Sequence, residues 1–260
     1  MKRTTLLTAL VVTLAVVLPA QQVSDDFGSI RGWTAGAGDW AVRGGRLIQL
    51  DSAEPLARAD RQVRQTRPHE LAFTVRYIEG GYRDADDLAD GVFHAGFGIH
   101  IGVENPALRG RSWGAGESYL LWLNLDTRPD TRRNHPQHYG FRAQVYRSDS
   151  NTSMALLRDP SLRRDPELGN YVVEDYMSID IIEALRAWGV DFSIQDIGRF
   201  LNRDVTINVR VDPRSGRVGV LDPTAPVRFY FSVDPEILRG DYLSLRSNGL
   251  ALSYDYFTVN

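Results

Sequence analysis

Three stretches of this sequence, read at every second residue, carry side chains that could hold a sugar. In 93–101, Phe93, Ala95, Phe97, Ile99 and Ile101 alternate with His94, Gly96, Gly98 and His100. In 119–125, Tyr119, Leu121, Leu123 and Leu125 alternate with Leu120, Trp122 and Asn124. In 141–146, Phe141, Ala143 and Val145 oppose Arg142, Gln144 and Tyr146. Alternate strand residues share a face, so each stretch offers one apolar side and one mixed side. Trp122 and Tyr146 suit stacking on pyranose rings. Asn124, Arg142 and Gln144 suit hydrogen bonds to hydroxyls, with His94 and His100 flanking them. Sugar sites combine such an aromatic platform with a few oriented polar groups in a concave groove. A plain solvated face of an antiparallel sheet shows the same alternation, and so would a Trp buried under another element. The sugar reading therefore requires that the three strands be neighbours and that their mixed face be open.

Other chemistries find less support. Retaining glycoside cleavage needs two carboxylates ~5–5.5 Å apart. Glu174 with Asp175 and Asp180 with Glu183 lack the spacing on a convincing strand; Glu104 and Glu117 lie near loop boundaries, and Asp126 ends a strand at a rim. His94 and His100 stand six residues apart, ~20 Å along a strand, and His135 with His138 has no acidic third ligand nearby. The acidic run "YRDADDLADG" (82–91) lacks the glycine and closing glutamate of an EF-hand loop and reads as a solvated loop or a groove rim. There is no Cys, hence no disulfide, thiolate site or Cys nucleophile, and Lys2 is the sole lysine. A net charge of −3, more negative still without Lys2 and Arg3, gives no broad attraction for nucleic acid. No fingerprint for an organic cofactor is present.

The elements that must position these residues are mostly strands. Runs with period-two alternation fall at 46–50, 70–78, 94–102, 118–125, 140–148, 204–212, 217–222, 227–233 and at the C-terminus. "PRSG" (213–216) joins two of them as a hairpin. One segment, 178–203, has helical spacing: Ile182, Leu185 and Trp188, then Ile194, Ile197 and Leu201, with Ser193 and Asp196 spaced as a capping box. It is expected to hold one or two short helices, at a groove rim or over one end of the core. The polar runs 128–136 and 158–170 read as surface loops. Residues 1–20 read as a secretory signal peptide, with Lys2 and Arg3 before an apolar run from Leu6 to Leu18. That run is shorter than the ~20 residues of a spanning helix. The expectation is an exported, periplasmic or extracellular protein with no membrane span after cleavage. Residues 21–260 then form a single all-β domain, an antiparallel two-sheet sandwich with a helical insertion.

The chain ends sharpen this picture. The N-terminal stretch "SDDFGSIRGWTAGAGDWAVRGGRLIQL" carries Asp-Asp-Phe, Trp33, Trp40, Gly45 and Leu47; the C-terminal stretch is "GDYLSLRSNGLALSYDYFTVN". Together they resemble the concanavalin A-like lectin/glucanase superfamily, including laminin-G-like and laminarinase-type domains. The resemblance implies a jelly roll whose terminal strands lie side by side. It also implies a structural calcium near both ends, held by Asp26 (or Asp25), the carbonyl of Gly45 and Asp255. Without the ion, Asp255 would cap a turn or pair with an Arg. Laminarinase-type enzymes present a Glu-x-Asp-x-(x)-Glu run on one strand, and this sequence has none. The expected function is a non-catalytic, lectin-like domain that binds a glycan or polysaccharide on a concave sheet face. Two alternatives stay open: a glycan-cleaving hydrolase or lyase on the same fold, and an envelope protein that uses the fold to bind protein partners.

Overall fold

The computed structural model describes residues 23–104, 106, 114–166, 169–221 and 228–260; the expected signal peptide lies outside them. Sixteen strands run in chain order: β1 Val23–Asp25, β2 Trp33–Ala37, β3 Trp40–Arg43, β4 Arg46–Gln49, β5 Ala57–Gln62, β6 His69–Gly80, β7 His94–Val103, β8 Glu117–Asp126, β9 Gly140–Asp149, β10 Met154–Leu156, β11 Ser178–Asp180, β12 Val205–Asp212, β13 Arg217–Leu221, β14 Arg228–Ser232, β15 Tyr242–Asn248 and β16 Leu250–Val259. They form two antiparallel eight-stranded sheets. The first has the order β14-β13-β12-β6-β16-β4-β3, with β1 beside β16; the second runs β10-β9-β8-β7-β15-β5-β2, with β11 also on β9. Strand alternation puts Leu71, Phe73 and Val75 of the first sheet against Phe97, Ile99 and Leu121 of the second in one core. The expected all-β sandwich is the observed fold. β1 pairs with β16 from Val23–Val259 to Asp25–Phe257, so the terminal strands do lie side by side.

Among the described residues four short α-helices interrupt the strands: α1 Ala85–Asp90, α2 Pro129–Asn134, α3 Ile181–Ala187 and α4 Ile197–Leu201. The insertion at 178–203 is thus helical as expected, except that Ser178–Asp180 is the strand β11. Its Asp180 then caps α3 by accepting the Glu183 N–H at 3.1 Å. The Ser193 N–H and hydroxyl both donate to Asp196, at 3.0 and 2.6 Å. The other two helices lie where loops were expected. In α1, Asp84 accepts the Asp87 N–H at 2.9 Å, and Gly91 closes the turn at φ 67°. In α2, Pro129 sits at the start, where its missing N–H costs nothing.

One core atom is out of keeping with its surroundings. Tyr254 is fully buried, its ring stacked on Trp40 at 6.0 Å, and its hydroxyl has no hydrogen-bond partner among the described residues. Burial raises its pKa. A buried hydroxyl without a partner carries its full desolvation cost. Tyr254→Phe is therefore expected to stabilise the protein by about 1 kcal/mol, read as a higher urea midpoint; a lower midpoint would show that the hydroxyl is satisfied.

Candidate functional site

The first of the two requirements is met, since β7, β8 and β9 are adjacent and their mixed sides share the outer face of the second sheet; the second is met only in part, because His100, Trp122, Asn124, Arg142 and Gln144 are buried there. Gly98 pairs with Trp122 and Trp122 with Gln144; Gly96 pairs with Asn124 and Asn124 with Arg142; Leu120 pairs with Tyr146. The glycines of "HAGFGIH" have a steric purpose. A Cβ on Gly96 would lie 2.5 Å from the indole of Trp122, so only glycine lets that ring rest on β7. A Cβ on Gly98 would lie 1.9 Å from the Leu121 carbonyl oxygen.

A cleft of about 380 Å³ opens on this face. Of the seven residues singled out in the sequence, His94, Trp122, Asn124 and Tyr146 line it; His100, Arg142 and Gln144 do not. His100 is fully buried, with Nδ1 3.1 Å from the Ser118 hydroxyl. Arg142 is buried and donates to the carbonyls of Tyr139 (2.6 Å) and Ser178 (3.3 Å) and to Asp180 (3.4 Å). Gln144 Nε2 donates to the Gln137 carbonyl at 2.9 Å and the Ser178 hydroxyl at 3.1 Å. These two residues therefore fasten β11 and the turn at 136–138 to the sheet. That turn in turn delivers His138 to the cleft.

Several lining residues come from the segment that follows β8. Asp126 is buried at the end of that strand. It accepts from Arg128 Nη2 at 2.7 Å and Nε at 3.1 Å, from the Arg128 N–H at 3.0 Å and from the Thr131 hydroxyl at 3.0 Å. His94 Nε2 stands 3.8 Å away from it. Asn124 donates to the His138 carbonyl at 2.8 Å and accepts from the Trp122 indole N–H at 3.4 Å. The His138 ring lies nearly parallel to Tyr146, and its Nδ1 is 3.1 Å from the Tyr146 hydroxyl. His135, Asn248 and Met154 also line the cleft, as do Arg128 and Thr131. The sequence marked Asp126 only as a rim carboxylate and His135 with His138 only as a weak metal pair. Asp126 continues the face of Leu120, Trp122 and Asn124 to the end of β8; His135 and His138 lie past the strand, where periodicity carries no sign of them.

No family model matches the chain, and no curated protein matches it. Solved structures do. A Bacillus subtilis protein of unknown function with a galectin-like fold superposes with a TM-score of 0.50 at 12% identity, covering 93% of this chain and 96% of that one. The CBM2 module of the evolved Dit of Lactobacillus casei BL23 phage J-1 gives 0.50 at 8% identity, over 92% and 94%. Carbohydrate-binding module CBM66 of Bacillus subtilis gives 0.47 at 8%, over 88% and 95%. The fold is that of the lectin-like sandwiches. At these identities the likeness speaks to architecture alone.

The electrostatics of the cleft are those of a neutral, hydrogen-bonding surface. Burial lowers the pKa of His94, assisted by Arg128 and opposed by Asp126. Burial also lowers His138, assisted by the nearby His135. Tyr146 is pushed up by burial and by Asp126. At neutral pH both imidazoles are thus uncharged and can donate at one nitrogen and accept at the other. Asp126 is the one carboxylate among the described lining residues, and its oxygens are occupied by Arg128 and Thr131. Retaining or inverting hydrolysis needs a second carboxylate.

The lowered imidazoles also make stability pH-dependent. His69, buried and likewise lowered by desolvation, joins His94 and His138. Each resists protonation when folded but takes a proton near pH ~6.5 when unfolded. Their contribution is complete above that value and is lost as pH falls through 6.5 toward the folded values. The melting temperature is expected to drop between pH 7 and pH 5, and His69→Asn to flatten that drop. A profile that is level to pH 5 would contradict the burial argument.

At the chain ends the structure pairs Asp255 with Arg46. Asp255 lies 3.0 Å from Arg46, which also donates to Asp204 (2.8 Å) and to the Ser253 hydroxyl (2.5 Å). Asp26 Oδ1 accepts the Gly28 N–H at 3.1 Å, and the Asp26 carbonyl lies beside Gly45. Asp25, the other acidic candidate, accepts from the Trp33 indole at 2.8 Å and the Phe27 N–H at 2.8 Å. A calcium ion would have to share Asp255 with a guanidinium, so this donor set does not fit one as it stands.

Proposed function

We propose that this chain is an exported, non-catalytic carbohydrate-binding domain of the concanavalin A-like type, and that it holds a glycan in the cleft over Trp122. The observation that carries the reading is the cleft itself. Its floor is an indole seated on a glycine, and its walls are the uncharged His94 and His138, Asn124, Asn248 and Tyr146. That pairing of an aromatic platform with neutral donors and acceptors suits hydroxyl-rich, uncharged rings. The lone, fully occupied carboxylate of Asp126 supports binding over hydrolysis. The test is a glycan-array screen of residues 21–260 beside Trp122→Phe and His94→Ala, with the fold of both variants checked by near-ultraviolet dichroism. Selective binding by the wild type, weakened in both, is the expected result. No binding to any glycan, or binding indifferent to both changes, would remove the assignment.

We propose further that the chain ends are tied by Arg46, in the place where the resemblance to the concanavalin A-like superfamily implies an ion. Surface networks of this kind contribute about 1 kcal/mol or less, which in a domain of this size is ~2–4 °C of melting temperature. Arg46→Met is expected to cost about that much, and a chelator nothing. A melting temperature that falls on chelation, and returns with calcium, would restore the ion.

A further inference from the structure

The cleft over Trp122 holds more titratable groups than a neutral ligand requires. Its described lining residues include one pair of opposite formal charge, Asp126 and Arg128, which meet at 2.7 Å and cancel. Three imidazoles, of His94, His135 and His138, line the same space. His94 lies across the ladder from Asp126, while His138 bonds to Tyr146, which lies across from Leu120. Trp122 falls between Leu120 and Asp126 on β8. A ring stacked on the indole would therefore have an imidazole toward either end.

Neither His94 nor His138 has a carboxylate to itself. His94 stands 3.8 Å from Asp126, which already accepts from Arg128 and from the Thr131 hydroxyl. Arg128 repels a proton there; Asp87 of α1 attracts one but lies 3.5 Å from Arg83. His138 faces His135 at 6.4 Å between rings, Arg142 and Tyr146 of β9, and the same Asp126. Arg142 has its own partner in Asp180. A proton on His138 Nδ1 nevertheless has a place to go. The Tyr146 hydroxyl, 3.1 Å away, can accept it while donating to Gln144 Oε1 at 3.0 Å. Gln144 Nε2 then donates to the Gln137 carbonyl and the Ser178 hydroxyl. With the hydroxyl turned the other way, Nδ1 is the acceptor and the ring is neutral. Burial lowers the pKa of both histidines by more than the carboxylates near them raise it. Protonated, the cleft carries positive charge that its own residues do not balance.

We propose that this cleft takes up an acidic saccharide, with a carboxylate or sulfate on its ring, together with protons on His94 and His138, so that its preference moves from neutral to anionic glycans as pH falls. This rests on the glycan-binding reading of the cleft. An anion beside the imidazoles supplies the counter-charge that the shared Asp126 does not. Coupling of this kind is reciprocal: the anion raises both imidazole pKa values, and each proton tightens the anion. Affinity for the anion therefore rises as pH falls through the imidazole range and is level well above it.

A glycan array read at pH 7.5 and at pH 5.5, at one ionic strength, tests this. Affinity linked to a single proton rises by up to about tenfold per pH unit, so carboxylated and sulfated glycans are expected to gain at least about tenfold over their neutral parents. The acidic glycan bound best is then titrated calorimetrically at pH 6 in two buffers of different ionisation enthalpy, where net proton uptake is expected. His94→Gln and His138→Gln keep hydrogen-bonding groups but take no proton. In each, the ratio of acidic-glycan affinity between the two pH values should fall toward one, whatever the affinity itself. Neutral glycans bound at both pH values with no gain by acidic ones would overturn the proposal and leave the neutral site standing. So would a gain without proton uptake, or one unchanged in both variants. No glycan bound at either pH would remove the site, and this proposal with it.

Discussion

Trp122→Ala is expected to weaken glycan binding about 30-fold, the equivalent of ~2 kcal/mol. The size follows from where the ring sits. Its indole rests on Gly96 and forms the floor of the cleft, so a bound sugar ring would meet an aromatic face already held in place. Little side-chain entropy is lost on binding when the platform is fixed beforehand. The same burial complicates the measurement. Trp122 is only 8% exposed, and truncating a buried Trp costs ~3–5 kcal/mol of stability. Folding must therefore be checked by near-ultraviolet dichroism, and Gly96→Ala serves as the companion. Its added methyl would stand 2.5 Å from the ring and must push it off the sheet, leaving the indole in the molecule but out of place. Both variants should lose affinity. Retained affinity in a folded Gly96→Ala protein would mean that the position of the indole does not matter, and the platform would have to be sought elsewhere.

The outer face of β7, β8 and β9 was legible because each strand alternates cleanly between apolar and mixed residues. What alternation could not give was which mixed residues face a ligand. Arg142 and Gln144 look as open as Trp122 in the sequence, yet the turn at 136–138 and β11 fold over them and take up their donors. The cover by β11 depends on contacts between residues 34 to 41 apart and the cover by the turn on contacts 3 to 7 apart, neither of which alternation records. His138 reaches the cleft on that same turn, and Asp126 as the last residue of β8. The helices α1 and α2 were read as loops because a turn or two of helix shows no periodicity. Only the caps, Asp84 with Gly91 and the leading Pro129, announced them. The loss at β5 is different in kind. "ARADRQ" (57–62) carries Arg58 and Asp60 at alternate positions, where a half-exposed strand would place polar residues and a buried one apolar residues. Both are buried, and a buried charged strand has no signature of its own.

That buried charge makes Asp60→Ala the most damaging single change expected in the second sheet. Asp60 accepts the Ser244 hydroxyl at 2.6 Å and lies 3.2 Å from Arg58 Nε. Arg58 stands directly across from Arg246 in the ladder, and both are all but solvent-free. Two like charges facing each other across a strand pair repel. Arg58 also donates to the Pro106 carbonyl at 3.1 Å, and a Cβ on Gly36 would come within 2.5 Å of its guanidinium, so it has no room to swing out. Asp60 and the buried Glu54 balance the two arginines, and the balance is tight. Burial and Arg58 already lower Arg246 to about 10, while Asp60 and Glu54 hold it up. Desolvation likewise raises the Asp60 pKa in spite of Ser244 and the arginines. The ion pair is thus costly to bury, but removing one partner is worse, because a positive charge is left with no counter-charge. Breaking such a pair typically costs ~3–5 kcal/mol, a large share of the ~5–15 kcal/mol that holds a domain together. The urea midpoint of Asp60→Ala should fall accordingly. Asp60→Asn, which keeps an acceptor for Ser244 but not the charge, should fall nearly as far if charge is the cause, and much less if the hydrogen bond is. Replacing Arg58, Asp60 and Arg246 together with Met, Leu and Met, and Glu54 with Gln, should recover most of the loss, since groups of similar volume without charge can stand in for a buried ion cluster. A cost below 1 kcal/mol for Asp60→Ala would show that water reaches the cluster and that β5 is less enclosed than its buried charges indicate.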